Sequence, residues 1–127
     1  MFRFAALAFL LTTCGPDETI SGFADPEASY RLVSMDGNSF LPSITIQFPE
    51  AGRVIGAGPC NTYDADQNVP YPWFELGSIA STRRTCPDLE AETAYFAALG
   101  EMEFAEIFDG TLLLTNGTGR EMVFQVE

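Results

Sequence analysis

The chain has 127 residues, six of them basic and eighteen acidic, for a formal net charge of −12. All six bases are arginine. With neither lysine nor histidine, Ser-His-Asp and Cys-His catalysis, histidine-ligated zinc, the P-loop lysine and lysine Schiff bases are excluded. So acidic a surface is a poor ligand for nucleic acid or anionic lipid, while 46% apolar and 19% charged residues make a folded domain rather than a disordered tail.

Met1-Phe2-Arg3 leads into an uncharged run from Phe4 to Leu11. The run falls well short of the ~20 residues that a spanning helix needs and fits a secretory signal peptide over 1–13. A core strand or helix here would leave Arg3 and the stop at Thr12-Thr13 unexplained. Leu11-Thr12-Thr13-Cys14-Gly15 resembles a bacterial lipobox, although Thr13 stands where a smaller residue is usual. The resemblance implies that Cys14 is lipidated and becomes the new N-terminus in the periplasm. Secretion without lipid, giving a soluble periplasmic chain, is the alternative.

Three cysteines, Cys14, Cys60 and Cys86, are an odd number for an exported chain. If Cys14 carries lipid, Cys60 and Cys86 remain as a pair in an oxidising compartment. A bridge between them contributes about 3–4 kcal/mol on the loop-length argument; two buried free thiols are the other reading. Removal of the leader takes Arg3 with it and leaves the exported chain one charge more negative.

Residues 14–28 are polar and turn-rich and are expected to form a flexible tether, with the folded domain over 29–127. Tyr30-Arg31-Leu32-Val33 predicts a first strand, closed by Asp36-Gly37-Asn38. Ile44 to Phe48 alternates as a half-buried strand does, and Pro49-Glu50-Ala51-Gly52 turns it back into Arg53-Val54-Ile55-Gly56. Asp64-Ala65-Asp66-Gln67-Asn68 with Glu75 places oxygens as an EF-hand loop does. However, Val69 stands where that loop needs glycine, and Pro70 and Pro72 stiffen it, so the segment is read as a solvated turn without metal. Trp73-Phe74-Glu75-Leu76, continuing to Ile79, predicts the next strand.

A helix is predicted over about 87–99. Pro87 suits a first helical position, Asp88 and Glu90 favour the N-terminal dipole, and Gly100 stops the chain. Leu89, Tyr95, Phe96 and Leu99 share one arc facing the sheet, and Glu92 falls inside it. A strand through Met102, Phe104 and Ile107 follows. Asp109-Gly110 then predicts a hairpin to Thr111–Thr115, and Asn116-Gly117-Thr118-Gly119 a turn to a last strand at Met122–Val126. The expected fold is α+β and mostly antiparallel β, with one strongly bent, half-barrel-like sheet packed by a single helix.

Gly56-Ala57-Gly58-Pro59-Cys60-Asn61-Thr62-Tyr63 resembles the "G…GCN.Y" signature of the META (HslJ-like) domain family, and Thr82-Arg83-Arg84-Thr85-Cys86-Pro87 resembles its "T.maCp" segment. Tyr30-Arg31-Leu32 stands where that family often has "W.L", and the helix and the Phe108–Leu114 hairpin follow in its order. Gly56, Gly58, Asn61 and Thr82 are the motif residues. Pro59 and Arg83-Arg84 depart from the pattern, as does the bulky Tyr71-Pro72-Trp73-Phe74. The resemblance implies a small envelope domain with no established catalytic residues and a stress-linked or envelope-maintenance role.

From the residues themselves, Asn61 is expected to lock its loop, and Thr82 to satisfy backbone groups near the helix start. Glu92, facing the sheet, needs a partner, and an ion pair to Arg83 or Arg84 is expected. Tyr71 and Trp73 form a candidate binding patch. Eighteen acids bring carboxylates together by chance, so glycosidase-type chemistry is not expected. The reading is a monomeric, cofactor-free, non-enzymatic envelope lipoprotein that binds an unknown protein or small ligand and meets the membrane only through its anchor. A secreted acidic inhibitor or scavenger of a basic partner is the alternative.

Overall fold

Alternating apolar residues set up the sheet. In the computed structural model, which describes residues 16–127, β1 (Tyr30–Met35) turns Tyr30 and Leu32 inward, and β3 (Thr45–Glu50) turns Ile46 and Phe48. The same period runs through β4 (Gly52–Ala57), β5 (Thr62–Gln67), β8 (Thr111–Thr115) and β9 (Glu121–Val126), burying Val54, Tyr63, Ala65, Leu112, Leu114, Met122 and Phe124. With the short β2 (Asn38–Ser39) and β6 (Ala80–Ser81), and β7 (Phe104–Phe108), they form a nine-stranded antiparallel sheet. Its order is β6-β5-β4-β3-β1-β9-β8-β7, with β2 on β1. Register shifts between Leu32 and Ser34 and between Gln47 and Glu50 bend the strands, and Pro49 sits in the second, where a ladder donor is not required.

One helix, α1 (Leu89–Leu99), crosses the inner face. Its Tyr95 ring meets Tyr63 of β5 and Phe124 of β9, so the helix spans the strands between them. Tyr95, Ala98 and Leu99 are fully buried, and Leu89 and Phe96 lie at the edge of the same face. The α+β, mostly antiparallel architecture read from the sequence therefore holds. The sheet does not close: Gln67 bridges to Leu76 and Trp73 to Phe104, so the 73–76 segment links the end of β5 to the start of β7 only through isolated bridges.

Four local expectations are corrected. Residues 17–28 are not a free tether: a 3-10 turn at Ile20–Gly22 places Ile20 in the core at 1% exposure, with Ala24 beside it. Asp17 braces the turn by accepting from the Thr19 N–H at 2.9 Å and from the Ser21 hydroxyl. The Asp64–Gln67 stretch read as a solvated turn is strand β5, with both aspartates outward and Ala65 and Gln67 inward. The predicted Trp73–Ile79 strand survives only as the two isolated bridges, with the short β6 lying just beyond it at Ala80–Ser81. The helix begins at Leu89 rather than Pro87, with Asp88 at its cap. The leader over 1–13 and the lipid site Cys14 lie outside the described residues.

Candidate functional site

The two sequence motifs meet around one buried acid. Glu92 sits one turn into α1, on the helix's inner face, at 1% exposure. Its Oε2 accepts from the backbone N–H of Cys60 at 2.8 Å and of Asn61 at 3.0 Å, and its Oε1 accepts from Asn61 Nδ2 at 2.5 Å. Asn61 completes its own set with the second motif. Its Oδ1 accepts from the Thr82 hydroxyl at 2.8 Å and the Arg84 N–H at 2.6 Å, and its Nδ2 also donates to the Arg84 carbonyl at 3.1 Å. Thr82 Oγ1 in turn accepts from the Thr62 N–H at 3.2 Å.

The glycines make room for these contacts. A Cβ on Gly58 would stand 2.5 Å from Glu92 Oε2, and one on Gly56 would strike the Thr45 carbonyl and stand 2.5 Å from the Tyr63 hydroxyl. That hydroxyl donates to the Thr45 carbonyl at 2.8 Å, so the 2.6 Å contact between the Tyr63 and Tyr95 hydroxyls is donated by Tyr95. Burial pushes both phenols far above their ordinary value, which keeps them neutral hydrogen-bonding groups. The Cys60–Cys86 disulfide, with Cα atoms 5.5 Å apart, fastens the first motif to the entry of α1.

The expected ion pair between Glu92 and Arg83 or Arg84 is not formed. Both arginine side chains are exposed, and none of the salt bridges among the described residues involves them. Backbone N–H groups and an amide satisfy the buried carboxylate instead, and Arg84 takes part only through its main chain. A hollow of about 200 Å³ lies over the cluster, lined by Gly58, Cys60, Asn61, Thr62, Thr82 and Arg84. The Asn61 side chain beneath it is partnered at both oxygen and nitrogen, so the cluster is a scaffold rather than a set of groups poised for a ligand.

Tyr71 and Trp73 face different neighbours. Tyr71 stacks on Phe23 at 4.4 Å between centroids, and its hydroxyl accepts from the Ile107 N–H. Trp73 leans on Phe104 at 5.1 Å, is 55% exposed, and walls an open groove of about 980 Å³. Val69, Pro70, Phe74 and Met102 supply the groove's apolar surface, and Glu75, Glu101 and Glu103 its carboxylates. Sequence reading missed these acids. The available signal was the alternation Glu101-Met102-Glu103, which exposes both acids in the connection just before β7, but only the Trp73–Phe104 bridge brings them to the tryptophan. Among the described residues, no cluster of His, Cys, Asp or Glu is suited to hold a metal ion, and no helix is long and apolar enough to cross a membrane.

A META domain family model matches residues 24–127. No curated protein matches the sequence. An NMR structure of a protein from Burkholderia xenovorans is similar with a TM-score of 0.63 at 19% identity, covering 79% of this chain and 81% of that one. A second NMR structure is similar with a TM-score of 0.60 at 18% identity, covering 81% of this chain and 95% of that one. The crystal structure of a DUF4847 family protein from Bacteroides vulgatus is similar with a TM-score of 0.55 at 15% identity, covering 65% of this chain and 57% of that one. Likenesses at this identity show a shared fold alone.

Proposed function

The chain belongs to the META domain family, whose model spans residues 24–127, and from this premise we propose that it is a non-enzymatic binding domain of the bacterial envelope. In this reading the leader exports it, lipid on Cys14 holds it to a membrane, and it serves envelope maintenance or a stress response as an accessory. Family membership supports the envelope association. One contrast carries the binding role: the motif residue Asn61 and the helix acid Glu92 are occupied with one another, while Trp73 stands exposed over an open groove. An exposed indole beside an apolar floor is a common feature of protein-binding surfaces.

Two measurements test the reading. Metabolic labelling with a palmitate analogue should mark the wild type and place it in the membrane fraction, and Cys14→Ala should lose both. An unlabelled wild type removes the anchor from the proposal. Capture from envelope extract should retain a partner that Trp73→Ala loses; capture indifferent to Trp73 overturns the groove as the binding surface.

The net charge of −12 favours a second reading, a secreted acidic inhibitor or scavenger of a basic protein. Capture of one basic protein that disappears at high salt supports that reading, and salt-resistant capture of a wider set supports the accessory domain.

A further inference from the structure

We infer that the Trp73 groove docks an extended peptide segment bearing arginine or lysine next to apolar residues, contributed by a partner protein. This deepens the binding role proposed above and rests on it.

Charge is the first argument. Three glutamates and no arginine line the groove. Glu101 is already met by Arg120, whose Nη1 lies 2.8 Å from its Oε2, whereas Glu75 and Glu103 enter no salt bridge among the described residues. Two exposed carboxylates without a cation thus flank an apolar floor, in a chain that has no lysine to offer them.

Shape is the second. Exposed Pro70 and half-buried Val69, backed by the buried Phe74 and Met102, suit the methylene stem of a long basic side chain, and the exposed indole suits its charged head. Trp73 is held against Phe104 across a backbone bridge, so little freedom remains for it to lose on binding. The site is an open trough between the 69–75 segment, the α1–β7 connection and the β8–β9 turn. A trough admits a passing chain, whereas small molecules favour an enclosed pocket.

The test uses the full chain and a labelled peptide alternating arginine and leucine, with a glutamate-leucine peptide as control. Trp73 is the sole tryptophan, so its emission reports occupancy of the groove directly. The basic peptide should shift that emission saturably and the acidic peptide should not. By anisotropy of the labelled peptide, Glu75→Gln with Glu103→Gln should weaken binding about tenfold. Asp109→Asn with Glu127→Gln removes the same charge at the opposite end of the β7–β8–β9 strands from Glu103 and should change binding by less than about twofold, as screened, distant charges do.

Equal loss in the two double variants, or binding that leaves Trp73 emission unchanged, overturns the inference. So does the lack of any binding. Capture of an envelope partner that survives Glu75→Gln with Glu103→Gln leaves the binding domain standing and removes the groove's preference. Peptide binding as described, with no partner in the extract, supports the groove chemistry and counts against the proposed envelope role.

Discussion

Asn61 grips Glu92 at both carboxylate oxygens, its backbone N–H on Oε2 at 3.0 Å and its side-chain amide on Oε1 at 2.5 Å. With the Cys60 N–H also on Oε2, three buried or part-buried donors depend on one side chain. Glu92→Ala leaves them without an acceptor and should destabilise the fold by about 3 kcal/mol or more. Glu92→Gln keeps one acceptor oxygen but turns an amide N–H towards a donor, and should fall between wild type and Glu92→Ala. Arg84→Ala should stay within about 0.5 kcal/mol of wild type, because only its backbone takes part. Urea denaturation ranks the three variants, and a larger loss for Arg84→Ala than for Glu92→Ala would restore the ion pair.

The motif glycines Gly56 and Gly58 should differ from Gly77, outside the motifs, by what a methyl would meet. Gly58→Ala drives a Cβ to 2.5 Å from Glu92 Oε2, and Gly56→Ala drives one into the Thr45 carbonyl. Each should cost about 1–3 kcal/mol as the crowded atoms move apart. Gly77→Ala meets nothing closer than 3.8 Å and should stay within about 0.5 kcal/mol. Melting temperatures of the three variants suffice; equal shifts would mean that general chain flexibility, rather than close approach, sets the need for glycine.

Asp36 gives the fold an acid-sensitive tie. It lies in the β1–β2 turn, where its Oδ2 accepts from Arg120 Nη2 at 2.9 Å and its Oδ1 from the Glu121 N–H at 3.1 Å. The Arg120 hydrogen bond first, and the Glu121 backbone bond after it, hold its carboxyl below the ordinary value of 3.8. A lowered folded value means the stabilisation is present above the unfolded value and fades as pH falls through the folded one. Wild type should therefore exceed Asp36→Asn in melting temperature at neutral pH, with the gap closing below about pH 4. The gap should correspond to less than about 1 kcal/mol, because both side chains remain open to solvent, at 30% and 38% exposure, and water screens the pair. A gap that persists in strong acid would trace to the turn geometry, not the charge.

What the sequence conveys divides along the range of the interactions. The Asp36-Gly37 and Asp109-Gly110 turns are readable because their positive φ values, 53°, 81°, 48° and 73°, need residues that tolerate them locally. Glu92 is visible as a misfit on the helix arc, but its partners are backbone N–H groups, which no residue letter announces, so an arginine is the natural guess. β5 is hidden because its outward positions are Asp64 and Asp66, residues that strands otherwise avoid. Ile20 lies in a short, turn-rich stretch with only Phe23 and Ala24 as apolar neighbours, and its packing into the sheet's core cluster is what buries it. The groove is the least readable feature, since Glu75 and Glu103 reach Trp73 through a bridge between segments distant in sequence.

The disulfide offers the sharpest test of whether the two motifs act as one unit. Cys60 and Cys86 stand 26 residues apart, and opening the loop with Cys60→Ser and Cys86→Ser should cost about 3–4 kcal/mol through the unfolded chain. Cys60 also gives its N–H to Glu92 at 2.8 Å, so the bridge has a second effect: it holds that donor on its acceptor. If both effects operate, Glu92→Gln should cost less in the chain without the disulfide than in the wild type, by a coupling of about 0.5–3 kcal/mol. Strict additivity in that cycle would assign the bridge wholly to the unfolded state. Coupling would make the disulfide, Asn61 and Glu92 one cooperative clamp, which fixes the β4–β5 loop to α1 through neutral donors on a buried acid.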